Sequence, residues 1–440
     1  MSRRMKNFRH LGALVVALAL FAAACGDDTT TTTTTAAGAT TTTAGAVFTP
    51  GALGAVTVAP GAPIEIRALQ AISGEVSFLG TDQVRGAELA IADFGQVDGH
   101  DVNLGTPEDD LCSAEGGQAG AQAIVAQANV IGVLGTTCSG SAAAAAPIIS
   151  AAGMVMISGS NTSPSLTSDL AGTAGSNWYN GYYRTAHNDL YQGATAARYA
   201  FEELGLTKAV AVHDGDPYTE GLATAFANAF TALGGTVTIH AVNKGDTDMT
   251  GVLTQVAADA PEFVYFPIFQ PEGDFIIQQK GGIAGLETVV WMGADGLITD
   301  GFLAIPETAG MYFSGPDLRF GTNASATGTN YDQLVAAYTA AYGEAPTAVF
   351  HAHTYDATVL LLTKIQEVAV QDADGTLHID RQALRDALNA TSGFAGVTGS
   401  LSCDAFGDCG AETISVIRND DPTDVAAGKA NVVYSFAPGA

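Results

Sequence analysis

From Pro63 onward, short apolar runs alternate with longer amphipathic ones, and no other feature of the sequence constrains the fold as strongly. Residues 64–68, 102–104, 130–134 and 154–157 read as buried parallel strands. Helical patterns lie between them: 81–94, with Val84, Ala87, Ile91 and Phe94 on one face, then 119–128 and 141–152. The rhythm breaks around 163–184 and then resumes. Helix 190–204 leads to strand 209–213, helix 220–233 to strand 236–241, helix 250–258 to strand 263–266, and helix 271–282 to strand 288–292. Two successive runs of this kind predict an α/β chain with two doubly wound lobes. The last third differs. A strand at 310–314 is followed by helices 331–342, 349–368 and 381–390, and then by antiparallel strands 399–402, 413–417 and 432–436. No internal sequence repeat is visible.

Size and charge narrow the function. At 440 residues the chain exceeds one core and fits two domains plus extras. An apolar fraction of 47% excludes disorder throughout. Acidic residues number 45 against 17 Lys and Arg, and four of the basic groups (Arg3, Arg4, Lys6, Arg9) lie in a leader without acids. The body's field therefore repels phosphates and anionic headgroups, which excludes nucleic acid as a partner.

Residues 1–24 read as an export signal: a basic stretch, 1–10, then 14 apolar residues, 11–24. That run is too short to span a bilayer, which needs about 20 residues. Ala22-Ala23-Ala24 before Cys25 read as a lipobox, with Ala22 where Leu is usual. Cys25 then becomes a diacylated N-terminus; the other reading is a secretory signal with an incidental cysteine. Residues 25–62 include seven successive threonines, Thr29–Thr35, and few large side chains. They read as a disordered tether, open to O-glycosylation. Setting Cys25 aside leaves Cys112, Cys138, Cys403 and Cys409, paired most simply as Cys112–Cys138 and Cys403–Cys409 in an oxidising compartment. A metal site is the rival reading, but no Cys-x-x-Cys or nearby His pair accompanies them.

Catalytic signatures are missing. The sequence has no Gly-x-Ser-x-Gly elbow, Walker A loop, His-Glu-x-x-His or Gly-x-Gly-x-x-Gly after the first strand. Ser139 has no credible His–Asp partner. His351 and His353 read as structural or hinge-lining, with a metal site the lesser reading. Asp372-Ala373-Asp374-Gly375 fails the EF-hand spacing and reads as a turn. The informative residues are polar ones at the carboxyl ends of strands, where open α/β sheets bind ligands. In the first lobe these are Thr136–Ser139 and Ser158–Thr162, with N-capping by Ser139 and Thr162 as the competing explanation. In the second lobe they are Asp214–Tyr218, Pro267–Phe269 and Gly293–Gly296. Hydroxyls and N–H donors facing aromatics and a carboxylate suit a zwitterion.

These segments resemble the leucine/isoleucine/valine-binding proteins of bacterial ABC importers across 63–440. The landmarks are Ile72-Ser73-Gly74, Gly80 with Gly86-Ala87-Glu88-Leu89-Ala90, Asp109-Asp110-x-Cys112, Cys138-Ser139, Ser160-Asn161-Thr162-Ser163-Pro164 and Tyr218-x-Glu220-Gly221. The resemblance implies the type I periplasmic binding fold: Rossmann-like lobes joined by a three-stranded hinge, closing like a Venus flytrap. It implies an N-terminal lobe of 63–185 and 318–394, a C-terminal lobe of 186–317 and 395–440, and crossovers near 184–186, 314–318 and 393–399. Ser139, Ser160 and Thr162 fall where the family holds a ligand carboxylate, and Asp295 falls where it receives the ammonium. Tyr218 and Phe269 match aromatic positions of the second lobe, with Phe269 replacing a Tyr. Leu79, beside Phe78, replaces another pocket aromatic. The implied function is a monomeric, lipid-anchored binder, without cofactor or metal, that hands a small amino acid to an ABC permease. A sensory module of the same fold and a binder of an amide- or urea-like solute remain alternatives; an exported hydrolase ranks below them.

Overall fold

The computed structural model describes residues 48–437. The export signal, Cys25 and the threonine run lie outside the described residues. The described chain begins earlier than the tether reading allows. β1 (Ala55–Val58) pairs antiparallel with a later strand, Leu377–Asp380, and buries Val56 and Val58. Residues 48–62 are therefore part of the body, because alternate apolar side chains in 55–58 have a core to enter.

The first lobe opens with β2 (Ile64–Gln70), α1 (Ser77–Phe94), β3 (Val102–Asn103) and β4 (Glu108–Asp109). α2 (Ala114–Val125), β5 (Val130–Gly135), α3 (Ser139–Ala151), β6 (Val155–Ser158) and β7 (Tyr182–Arg184) follow. The sheet order is β3-β2-β5-β6-β7, all parallel, with β4 beside β2. α2 starts five residues before the predicted position. Ser113 caps it, and Gly116 and Gly117 are there for close packing: a methyl at Gly117 would sit 2.2 Å from the Ser141 carbonyl oxygen of α3.

The second lobe begins with α4 (Asp189–Arg198), extended by a π turn to Glu203, and β8 (Lys208–His213). It continues through α5 (Pro217–Ala232), β9 (Thr236–Ala241), α6 (Thr250–Ala258), β10 (Phe263–Tyr265), α7 (Glu272–Gln279) and β11 (Val290–Gly293). α8 (Asp300–Leu303) and β12 (Met311–Pro316) complete this pass. The chain then returns to the first lobe as α9 (Tyr331–Tyr342), α10 (His351–Val368), the hairpin β13 (Val370–Gln371) and β14 (Leu377–Asp380), α11 (Arg381–Asn389), and the pair β15 (Phe394–Ala395) and β16 (Ser400–Leu401). Asp372–Gly375 is the turn between β13 and β14, closed by Asp372 N–H to Thr376 O. β17 (Ile414–Asn419), α12 (Val425–Ala430) and β18 (Val432–Phe436) end in the second lobe, whose order is β18-β17-β12-β11-β10-β8-β9. β17 and β18 are antiparallel, as predicted.

Both disulfides form as the spacing implies. The Cys403–Cys409 loop corrects the lobe boundary. Cys409 lies in the first lobe's core, Cys409 N–H bonds to Arg184 O and Cys403 N–H to Thr391 O. Residues 395–409 thus pack on the first lobe rather than the second, and the third crossing runs at 410–413, not 393–399. It lies beside the other two: Asp317 N–H donates to Thr413 O, and Gly410 packs on the Ala186 carbonyl. The position that the resemblance implied, 393–399, is instead the β15–β16 hairpin. No helix among the described residues is long and apolar enough to cross a membrane.

Candidate functional site

In each lobe the strand order reverses once. β2 runs out to β3 and the chain then returns to β5; β8 runs out to β9 and the chain returns to β10. A crevice opens at such a reversal, outside the carboxyl ends of the strands. The two crevices face each other across a narrow cavity lined by Leu79, Gln83, Thr137, Ser139, Ser160, Tyr218, Phe269, Asp295, Gly296 and Phe350.

On the first-lobe side, the loop after β5 is fixed from below. Asp110 accepts N–H bonds from Thr137 and Cys112, both 2.7 Å, and the Cys112–Cys138 disulfide crosses the same turn. Burial pushes Asp110 up to about 7, against the pull of those N–H donors. Thr137 Oγ1 donates to Gln70 and accepts from Ala71 N–H. Ser160 Oγ donates to Thr137 O at 2.8 Å, and Asn161 Nδ2 reaches Thr136 O and Thr137 O. α3 thus presents its N-terminus and the Ser139 hydroxyl from a rigid loop, a favourable place for an anion. Behind it Arg184, fully buried, donates to Ser163 O at 2.8 Å and pairs with Asp408 at 2.6 Å.

On the second-lobe side, Asp295 begins a 3₁₀ turn after β11 and is 3% exposed. Its Oδ1 accepts from Gln192 Nε2 at 2.6 Å and from Tyr218 O–H at 3.0 Å. Burial pushes it up to about 6. Tyr218 and Phe269 rings pack 5.0 Å apart and, with Leu79 and Phe350, give the cavity its apolar wall. No cation lines it. The arrangement offers hydroxyl and N–H donors at one end, a carboxylate at the other and hydrocarbon between.

Six of the eight predicted ligand residues line this cavity: Leu79, Ser139, Ser160, Tyr218, Phe269 and Asp295. Phe78 does not, because its neighbour on α1 takes the inward face; half-buried Phe78 packs instead on an apolar cluster drawn from both lobes. Thr162 lies a layer deeper, its hydroxyl beside the buried Asp189 carboxylate and its carbonyl accepting from Asp189 N–H at 3.0 Å. Sequence reasoning missed Gln83, Phe350, Gln192 and Asp189. Asp189 is fully buried beside the Thr162 hydroxyl, and burial with Asp295 nearby pushes it well above the carboxylate range. Burial pulls His351 and His353 down to about 4 and about 3, and no group of three or more metal-ligating side chains occurs among the described residues.

A family model described as periplasmic binding protein matches residues 63–408. The chain belongs to the periplasmic binding protein family. Members of this extracytoplasmic family bind solutes and are not enzymes. An amino acid binding protein of Pseudomonas aeruginosa is 30% identical over 257 residues, 57% of this chain and 65% of that protein. The Leu/Ile/Val/Thr-binding protein of Salmonella typhimurium is 30% identical, over 53% of this chain and 62% of its own length. The chain thus spans less than two thirds of these relatives. Among solved structures, a leucine binding protein of Thermotoga maritima superposes with a TM-score of 0.72 at 23% identity, covering 85% of this chain and 99% of that one. A solute binding protein of R. palustris in complex with benzoate gives 0.67 at 21%, covering 86% and 98%. Both similarities bear on the fold, which is that of type I periplasmic binding proteins.

Proposed function

We propose that this periplasmic binding protein captures a small amino acid, of branched-chain type, between its lobes and delivers it to an ABC importer permease. The observation that carries this reading is the polarity of the cavity. Hydroxyls and the α3 N-terminus stand on one lobe, the Asp295 carboxylate on the other, and an apolar wall of Leu79, Phe269 and Phe350 lies between. In this reading Ser139 and Ser160 hold the ligand carboxylate, Asp295 receives the ammonium and the hydrocarbon wall takes the side chain. The names of the Salmonella and Thermotoga relatives favour the same ligand class. An aryl carboxylate, the ligand in the R. palustris complex, fits less well, because a second buried anion opposite Asp295 has no counter-charge. Cys25 carries the lipid anchor, and the residues after it form the leash that keeps the body at the membrane.

A thermal-shift screen of residues 48–440 against the twenty amino acids, short amides, urea and benzoate tests the proposal. A ligand at 100 times its Kd adds about 2.7 kcal/mol to stability. Leu, Ile or Val is expected to raise the melting temperature; a shift with benzoate or urea alone overturns the amino-acid reading.

A further inference from the structure

Away from the ligand cavity, a second set of contacts joins the lobes at the rim of the cleft. Asp216 caps α5 of the second lobe, its Oδ1 accepting from Tyr218 N–H at 2.9 Å. Its other oxygen crosses the cleft and faces the Gly140 amide in the first turn of α3, so closely that a methyl on Gly140 would stand 2.4 Å from Oδ2. One carboxylate therefore bridges the N-termini of two helices on opposite lobes, where both helix dipoles favour an anion. Beside it, Lys244 of the second lobe donates to the Cys112 carbonyl of the first at 2.6 Å. Cys112 and Cys138 are disulfide-bonded, and Cys138 is the N-cap of α3. The bridge thus ties together both first-lobe contact points, which lets them meet Asp216 and Lys244 as one rigid edge.

We infer that Asp216 and Lys244 form a latch that holds the lobes closed and so sets ligand affinity without touching ligand. This rests on the lobes opening and closing, but not on which solute they capture. In an open form Asp216 keeps its cap on α5 and loses Gly140, and Lys244 loses Cys112. The closed form alone gains these bonds, so they shift the equilibrium toward closure.

The test is a double-mutant cycle read by lobe closure. Donor and acceptor dyes on the two lips of the intact body report the closed fraction by single-molecule energy transfer, without ligand and with each amino acid in turn. Asp216→Asn keeps the α5 cap, since Asn caps as well as Asp, and removes only the charge and the second acceptor. Asp216→Asn and Lys244→Ala are each expected to lower the closed-to-open ratio about three- to tenfold and to speed ligand release by a similar factor. The ranking of ligands stays as in the wild type. Gly140→Ala is expected to do the same in the wild-type background and nothing further in Asp216→Ala, because the methyl then meets no carboxylate. A wild-type chain that never closes, or variants that close as fully as it does, overturns the latch. So does a change in ligand ranking, which would place these residues in the cavity. Closure that no amino acid promotes overturns the amino-acid reading and leaves the latch standing.

Discussion

Burial pushes Asp295 up to about 6, and the Gln192 and Tyr218 donors on Oδ1 only partly offset it. Near pH 7 it is ionised without a cation of its own, and under the proposed function it receives the ligand's ammonium in that form. Below about 6 the ligand-free site takes up a proton that must leave when the ammonium binds. Affinity is therefore expected to be flat above pH 7 and to fall roughly tenfold per pH unit well below 6. Calorimetry across pH 4.5–8 checks this, with Asp295→Asn expected to bind weakly and without that slope. An equal slope in the variant would assign the titration elsewhere. Asp295, Ser139 and Tyr218 were legible in the sequence because each follows an apolar strand, and the ends of strands are where such sheets bind. Gln192 and Asp189 were not, because on a helix their sequence signals only a polar first turn.

At the scale of elements, β1 and the Arg184–Asp408 pair are structural members that the sequence hid. β1 is four residues long, and only its partner β14, more than 300 positions away, shows that Val56 and Val58 are core. Deleting 48–61 removes both valines and uncovers the core surface they pack on, a loss of roughly 3–5 kcal/mol, and is expected to lower the melting temperature by several degrees. An unchanged melting temperature would put β1 outside the cooperative unit. Arg184 looked like the end of an irregular stretch. In the fold it is fully buried, and burial, which disfavours charge on Asp408, is overcome by Arg184, which holds that carboxylate below its usual range. Asp408→Ala strands a buried guanidinium and should cost about 3–5 kcal/mol in denaturant unfolding. Arg184 also donates to the Thr167 hydroxyl at 2.8 Å and to the Asn161 and Ser163 carbonyls, and a loss below about 1 kcal/mol would mean that these acceptors suffice to hold it.

For the whole molecule, the sequence rhythm was enough to predict two lobes, since strand–helix alternation leaves few other packings. It was not enough to assign the third crossing, because the Cys403–Cys409 loop is held to the first lobe by backbone bonds that composition does not reveal. The donor end of the cavity belongs to one lobe and the acceptor end to the other, so under the proposed function a ligand must carry both complementary charges to join them. Titration calorimetry with leucine and two truncated analogues tests this directly: 4-methylpentanoate, which lacks the ammonium, and 3-methylbutylamine, which lacks the carboxylate. Leucine is predicted to bind and each analogue to lose at least about a hundredfold in affinity, about 2.7 kcal/mol. Retention of leucine-like affinity by either analogue would contradict a site that grips both ends.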